Sequence, residues 1–385
     1  MRDRSSRRSY GRAWWIAALA ALALVLAACS TESGPENRQN SLRPKGQYAK
    51  DIDNLFAPIL WIAIAVGVII IVATIFVAVR FRRRKDSDDK VKQIHGNTPL
   101  EIGLTLVPAI ILAVIAVPTV SLIFDLAEKP TNPLEVTVVG KQWWWQFDYQ
   151  KQAGIDTKIV TADELHIPTG RDVFLDLQAC DASLGTTGNR PSCNVIHSFW
   201  VPELAGKRDV VPGRNNQMKL RADEPGVYLG QCAEYCGLSH ANMRFRVIAQ
   251  PPDEFASWVA GQLEGPTVAL ADAGEANNLF TKKFQCTNCH TTEDSSVSVY
   301  GPNLTHLASR STFASGYYEL TRANLIDWIL DAPSMIPMES EECRLPPPAT
   351  CVGMPSFTRD TPPGNYPVMT RAEAETLADY LLELK

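Results

Sequence analysis

The chain has 385 residues, a mass of 42.4 kDa and a formal net charge of −5. Hydrophobic residues make up 45% and charged residues 21%, which excludes a wholly disordered chain. A mean hydropathy of −0.08 excludes a many-span transporter. Charge is spread unevenly: residues 1–124 hold 16 Lys and Arg against 9 Asp and Glu, residues 125–265 hold 13 against 18, and residues 266–385 hold 8 against 15. A basic, apolar front followed by two acidic blocks predicts a membrane anchor bearing soluble domains that meet basic partners. It leaves no basic face for nucleic acid.

Residues 1–28 read as an export signal, with Arg2, Arg4, Arg7, Arg8 and Arg12 before an apolar run that ends in small residues. The closing Leu26-Ala27-Ala28-Cys29 resembles a bacterial lipobox, which implies cleavage before Cys29 and lipidation of its thiol. An uncleaved anchor helix is the alternative. Residues 29–56 are polar and predict a flexible stalk. Two charge-free runs follow, Ala57–Val79 and Ile102–Phe124, each 23 residues long, more than the ~20 that a helix needs to cross a bilayer core. Between them lie Arg80, Arg82, Arg83, Arg84, Lys85, Lys90 and Lys92. That basic loop belongs in the cytoplasm, so residues 57–124 form a transmembrane hairpin and everything from Asp125 onward faces the periplasm or the exterior. Glu101, at the cytoplasmic end of the second span, either meets headgroup water or serves as a proton pathway mouth.

From Leu134 the pattern changes to short, β-branched runs: 134–139, 172–177, 194–201, 216–220, 227–231 and 245–249. Punctuated by Pro and Gly, they predict a β-sandwich over residues 125–263. One loop concentrates the chemistry. Cys232-x3-Cys236-x3-His240-x2-Met243 places two thiols, an imidazole and a thioether within twelve residues, and His197 lies 35 residues upstream on a predicted strand. Such a soft donor set prefers copper, and two cysteines can each bridge two coppers. A Cys232–Cys236 disulfide or a structural zinc would leave Met243 and His197 unexplained.

These residues, with Lys141-Gln142-Trp143-Trp144-Trp145, His197-Ser198-Phe199-Trp200-Val201-Pro202, Pro212-Gly213-Arg214-Asn215-Asn216-Gln217, Gly230-Gln231-Cys232-Ala233-Glu234-Tyr235-Cys236-Gly237 and Glu101-Ile102-Gly103-Leu104-Thr105, resemble subunit II of the haem-copper cytochrome c oxidases over about residues 50–262. The resemblance implies a cupredoxin sandwich with a binuclear CuA centre. Its ligands would be His197, Cys232, Cys236, His240, Met243 and the Glu234 backbone carbonyl. The Glu234 side chain would reach a magnesium ion shared with subunit I. Trp143 matches the family's electron-accepting tryptophan and is expected to be exposed, with Trp144 packing a core face. Glu101 matches the acid at the mouth of a proton pathway. Lys141 stands where some members have His, and Asn194 where some have a docking acid.

Residues 264–273 read as a linker that would let the following domain swing. Residues 274–385 contain Cys286-Thr287-Asn288-Cys289-His290, the attachment signature of c-type haem. A segment from Gly274 to Phe284 that reads as helical precedes it, helices are predicted near Ala323–Leu330 and over Arg371–Leu384, and Gly301-Pro302-Asn303-Leu304 follows it. Together these resemble a class I cytochrome c, which implies an all-α domain, two thioethers from Cys286 and Cys289, His290 as one axial ligand, and the turn at Gly301 as carbonyl acceptor for that histidine. Met335, Met338, Met354 and Met369 are available for the opposite face. Met354, in Gly353-Met354-Pro355-Ser356-Phe357, resembles the family's ligand loop, with Met338 as the alternative. The remaining cysteines are expected to pair as Cys180–Cys193 and Cys343–Cys351.

The combined expectation is a multidomain chain: a two-helix transmembrane hairpin, an all-β cupredoxin sandwich and an all-α cytochrome c domain. It would pass electrons from covalent haem c to CuA and on to subunit I of a proton-pumping terminal oxidase, where oxygen is reduced. Its partners would be the other oxidase subunits and a donor such as a cytochrome c or a cytochrome bc complex. The alternative is the CuA subunit of a haem-copper nitric oxide reductase. A quinol oxidase subunit would lack the copper ligands, and a copper carrier would have no use for Cys286–His290.

Overall fold

The computed structural model describes residues 39–82, 95–179, 195–293, 300–338, 352–358 and 367–385. The expectations on Cys29, Asn194, Cys180, Cys193, Cys343 and Cys351 lie outside these residues, as does most of the basic loop.

Two long helices come first, α1 (Gln47–Arg80) and α2 (Thr98–Ala127). Both are long and apolar enough to cross a membrane, and their large side chains, among them Ile69, Phe76, Leu112 and Phe124, face outward. α2 begins with Asn97, whose side chain accepts the Leu100 N–H, while the Glu101 side chain accepts the Asn97 N–H. That reciprocal cap satisfies two donors that a helix start leaves without partners. The stalk expected over residues 29–56 is corrected here, because α1 already begins at Gln47. Its first turn is buried at Tyr48 and Ala49. The Tyr48 hydroxyl donates to Asp172 at 2.9 Å and Lys50 pairs with Asp223 at 2.6 Å. Polar composition here marks a helix face docked on a charged surface, which a composition argument cannot tell from a loose tether.

The next block is a two-sheet β-structure. Its strands are β1 (Leu134–Lys141), β2 (Trp144–Tyr149), β3 (Ile159–Ala162), β4 (Glu164–Pro168), β5 (Val173–Gln178), β6 (His197–Trp200), β7 (Arg208–Val210), β8 (Asn216–Leu220), β9 (Gly226–Cys232) and β10 (Arg244–Gln250). One sheet has the order β3-β2-β1-β5-β8 and the other β4-β10-β9-β6-β7. The β1–β5 and β4–β10 pairs are parallel and the rest antiparallel. This is a cupredoxin-like domain. Trp145, Phe147, Phe199 and Phe245 fill its centre, with Phe199 and Phe245 stacked at 4.4 Å and Trp145 edge-on to both. Six strands coincide with the alternating runs, though β6 is confined to four residues. β2, β3 and β4 gave no alternating signal because every residue in them is buried.

Helix α3 (Pro252–Leu263) lays Phe255 and Val259 against the sandwich. Trp258 stacks on His166 at 4.3 Å. The C-terminal part has its own core, built around Leu279, Phe280, Phe284, Ile326, Leu377 and Leu381. It contains a short α4 (Glu275–Asn278) running into a wider turn (Leu279–Lys283), then α5 (Arg322–Met335), kinked at Asp331, and α6 (Arg371–Leu381), opened by a Thr370–Glu373 capping box. The expected all-α domain is corrected in part. Among the described residues, helices are few, and a hairpin of β11 (Thr312–Phe313) and β12 (Tyr318–Glu319) intervenes. The turn between those strands holds Ala314, Ser315 and Gly316 at positive φ, which no helix accommodates.

Candidate metal centre

The β6–β9 pairing sets Phe199 opposite Cys232 and thereby brings His197 to the end of β9. The loop after β9 then folds back. His240 N donates to the Gly237 carbonyl, Met243 N to the His240 carbonyl, and Cys232 N to the Met243 carbonyl. These closures converge the donors. Cys232 Sγ lies 3.8 Å from Cys236 Sγ, 3.9 Å from His197 Nδ1 and 3.2 Å from the Glu234 carbonyl. Cys236 Sγ lies 3.5 Å from His240 Nδ1 and 3.7 Å from Met243 Sδ. All six groups expected from the sequence therefore meet in one place.

The two sulfurs are far beyond the ~2.05 Å of a disulfide, and six donors exceed what one tetrahedral zinc takes. Two soft metals bridged by two thiolates fit the set. The electrostatics agree. The hydrogen bond from its partner thiol, followed by that of His197, draws the Cys232 thiol down to about 3, and the same neighbour pushes Cys236 up. The thiolate form is thus favoured at Cys232, as a metal ligand requires. His197, Cys232, Cys236 and Met243 are all buried, while His240 is half-buried.

The loop is also held from outside, by residues to which sequence reasoning assigned no such clamping role. Gln142 Nε2 and Trp143 Nε1 both donate to the Cys236 carbonyl, at 2.8 and 2.9 Å. Gly140 backs onto His197: a Cβ there would sit 2.9 Å from the ring. Gln142 stands inside a motif quoted for its tryptophans, but nothing in its spacing reveals a contact 94 residues away.

The tryptophans are placed differently from expectation. Trp143 is 7% exposed: its ring lines a cavity formed with the C-terminal part, and Ser315 of that part donates its hydroxyl to the Trp143 carbonyl. Trp145 is the core residue, edge-on to His197 at 5.9 Å. Trp144 instead lines that cavity with Trp143, and Lys141 Nζ lies 4.8 Å over its ring.

The other walls of the cavity include Cys286, Cys289, His290, Met338 and Met354. His290 N donates to the Cys286 carbonyl at 2.9 Å, and Gly301 N to the Cys289 carbonyl at 2.9 Å. The second bond brings the Gly301 turn alongside, so that His290 Nδ1 donates to the Pro302 carbonyl at 2.8 Å, as the resemblance implies. That contact fixes the tautomer and leaves Nε2 with its lone pair available for a metal. Burial holds the His290 pKa below its ordinary value, which keeps it neutral. Burial also pushes the Cys286 thiol up to about 12 and Cys289 up to about 11. A redox-active pair would show the opposite shift. Arg310 at the cavity wall has a buried Nε with no partner, a waiting donor for an acidic group. An apolar cavity with two thiols, an oriented imidazole and a buried cation fits a covalent haem. Met338 and Met354 occupy one wall, and Met354 N lies 3.2 Å from Met338 Sδ. The Glu234 side chain accepts the Tyr235 N–H. Glu101 is exposed and serves the cap of α2.

Known proteins give the context. The family model for the periplasmic domain of cytochrome c oxidase subunit II matches residues 134–250, and that for its transmembrane domain matches residues 40–122. Cytochrome c oxidase subunit 2 of Alkalihalophilus pseudofirmus is 39% identical over 328 residues, covering 82% of this chain and 87% of that protein. Cytochrome c oxidase subunit 2 of Bacillus sp. (strain PS3) is 32% identical over 326 residues, covering 79% and 80%. Quinol oxidase subunit 2 of Bacillus cereus is 30% identical over 253 residues, covering 64% and 79%. The chain belongs to the cytochrome c oxidase subunit II family. It is a membrane-anchored subunit of an oxidase complex, its β-domain is the periplasmic domain of that family, and such a domain implies CuA copper.

Proposed function

We propose that this chain is the electron-accepting subunit of a proton-pumping terminal oxidase and holds two redox groups, a binuclear copper and a covalent haem c. His197, Cys232, Cys236, His240, Met243 and the Glu234 carbonyl would hold the coppers. Cys286 and Cys289 would hold the haem through thioethers, with His290 and Met354 on its two faces. Bound there, the two groups supply reversible one-electron transfer toward subunit I, where oxygen is reduced. The chain's own part is to keep these sites rigid and dry. Gln142 and Trp143 clamp the Cys236 carbonyl, and the Pro302 carbonyl orients His290. The Glu234 side chain would reach a magnesium ion shared with subunit I. Glu101 would face the start of a proton pathway. Electrons would come from a cytochrome c or a cytochrome bc complex.

The observation that carries this reading is the convergence of all six donors on Cys232 and Cys236. A quinol oxidase subunit has no need of such a set. The relative that shares 82% of the chain must also extend into residues 266–385, since residues 1–265 are only 265 of 385, or 69%. The test is spectroscopic. Oxidised, copper-loaded protein should give a seven-line hyperfine pattern in electron paramagnetic resonance, because two bridging thiolates share one unpaired electron between two nuclei. Cys232→Ser should abolish it. A four-line pattern from the fully loaded protein would refute the binuclear reading, and a pyridine haemochrome lacking the c-type signature would refute the haem.

A further inference from the structure

The corner between β3 and β4 places two carboxylates side by side, Asp163 and Glu164, which are only 5% and 1% exposed. Burying two adjacent acids is costly unless their oxygens are satisfied. Here one stretch of the C-terminal part supplies most of the donors, leaving Glu164 Oε2 with no hydrogen-bond partner and only the His166 ring 3.9 Å away. Glu164 Oε1 accepts the Ser311 N–H at 3.0 Å and the Ser311 hydroxyl at 2.5 Å. It also accepts the Thr312 N–H at 3.0 Å and the Thr312 hydroxyl at 2.9 Å. Asp163 Oδ2 accepts the Ser315 N–H at 3.1 Å, while Oδ1 accepts the Trp145 N–H at 2.9 Å. Five of these six donors belong to residues 311–315. The same stretch gives the Ser315 hydroxyl to the Trp143 carbonyl. Nearby, Arg244 lies 5.0 Å over the Tyr317 ring. At the far side, the Ser239 hydroxyl donates to the Pro337 carbonyl.

We propose that Asp163 and Glu164 are an internal docking site for the 311–315 turn, which seats the C-terminal domain over Trp143 and closes that face of the copper domain to external redox proteins. A donor protein must then meet the C-terminal domain. The functional meaning rests on the copper and haem reading above, whereas the docking itself needs neither group. The geometry replaces the swinging domain expected from the linker composition with a seated one. Glu164 suits the role because its charge is kept: burial pushes its pKa up, but the neighbouring His166 and the hydrogen bonds from Ser311 and Thr312 outweigh that and hold it below the ordinary value.

Hydrogen–deuterium exchange on the detergent-solubilised full chain, without added metal, tests the docking. In the wild type the 311–316 amides should be protected as well as those of β10. Two variants loosen the contact from opposite sides: Glu164→Gln in the copper domain, and the triple change Ser311→Ala, Thr312→Val, Ser315→Ala in the hairpin. A bond to a charged acceptor contributes enough that each variant should lower protection at 311–316 by about tenfold or more, with β9 and α6 unchanged. Unchanged protection in the triple variant, or wild-type amides that exchange like an open peptide, would overturn the proposal. The second arm reads the closure. In the copper-loaded Cys286→Ser, Cys289→Ser chain, a reduced soluble c-type cytochrome should reduce the copper slowly, and at least about tenfold faster once the hairpin triple change is added, by the same hydrogen-bond arithmetic. Equal rates would show that the Trp143 face is open in both. Absence of covalently attached haem from the wild-type chain would sink the haem reading and leave the exchange result standing.

Discussion

Gly301 is the position where one added methyl group reports most directly on the cavity of the C-terminal domain. Its backbone lies outside the left-handed region, so alanine meets no conformational strain there. The obstacle is contact. A Cβ would lie 2.4 Å from His290 Cε1, 2.8 Å from Nδ1 and 2.9 Å from Nε2. Carbon atoms settle at roughly 3.5–4.0 Å, so the imidazole must retreat by about 1 Å. It is held only 2.8 Å from the carbonyl of the next residue, Pro302, and a retreat of that size takes the pair out of hydrogen-bond range. Overpacking costs about 1–3 kcal/mol and the lost bond about 0.5–1.5 kcal/mol. Gly301→Ala should therefore destabilise the C-terminal domain by about 2–4 kcal/mol and turn the His290 ring. The assay is urea unfolding of the full chain followed by far-ultraviolet circular dichroism and by absorption of the attached haem, with Pro302→Ala as a control that keeps the carbonyl. A Gly301→Ala chain within about 0.5 kcal/mol of wild type, the ordinary range for a surface change, would refute the close packing.

Two further outcomes follow from the same geometry. Met354→Ala should remove the weak sulfur-to-iron band near the red end of the spectrum and lower the haem potential, since methionine ligation raises it. Met338, whose sulfur faces the Met354 N–H, should act only as a brace, so Met338→Ala should keep the band; loss of the band in Met338→Ala alone would reverse the assignment. The third concerns pH. Burial pushes Asp163 up to about 7, against the N–H groups of Trp145 and Ser315 and the charge of Arg310. Between the ordinary carboxylate range and pH 7 the folded chain thus binds a proton that the unfolded chain releases. Stability falls as pH rises across that window and levels off above it, with a slope of at most ~1.4 kcal/mol per pH unit. Asp163→Asn stays neutral, so the melting midpoint of wild type relative to Asp163→Asn should drop between pH 5 and 7.5. A flat difference would show the acid to be ionised throughout.

Much of this molecule was legible because its chemistry is local in sequence. Cys232, Glu234, Cys236, His240 and Met243 fall in one loop, and ligand spacing is set by the metal rather than by the fold. His197 could be found because it stands on a strand of β-branched and aromatic residues. What escaped was long-range. Trp143 meets Ser315, 172 residues away, and no period or composition reports such a contact. β2 to β4 were hidden because burial on both faces removes alternation. The start of α1 was misread because Lys45, Lys50 and Gln47 suggest solvent, whereas two of them engage acids of the copper domain. Gly140 is invisible as a site residue for a simpler reason: what it contributes is the absence of a side chain.

The docking of the first turn of α1 sets a distance. A helix of 34 residues rises about 51 Å, whereas the hydrocarbon core takes only about 30 Å of it. The remainder is a rigid post whose top is bonded to the copper domain through Tyr48 and Lys50, not a tether with slack. Such a post fixes height and bearing together. Each residue added between the bilayer and Tyr48 would raise the domain by about 1.5 Å and rotate it by about 100°, so the length of this segment is a gauge for how the copper loop faces its neighbour across the membrane surface.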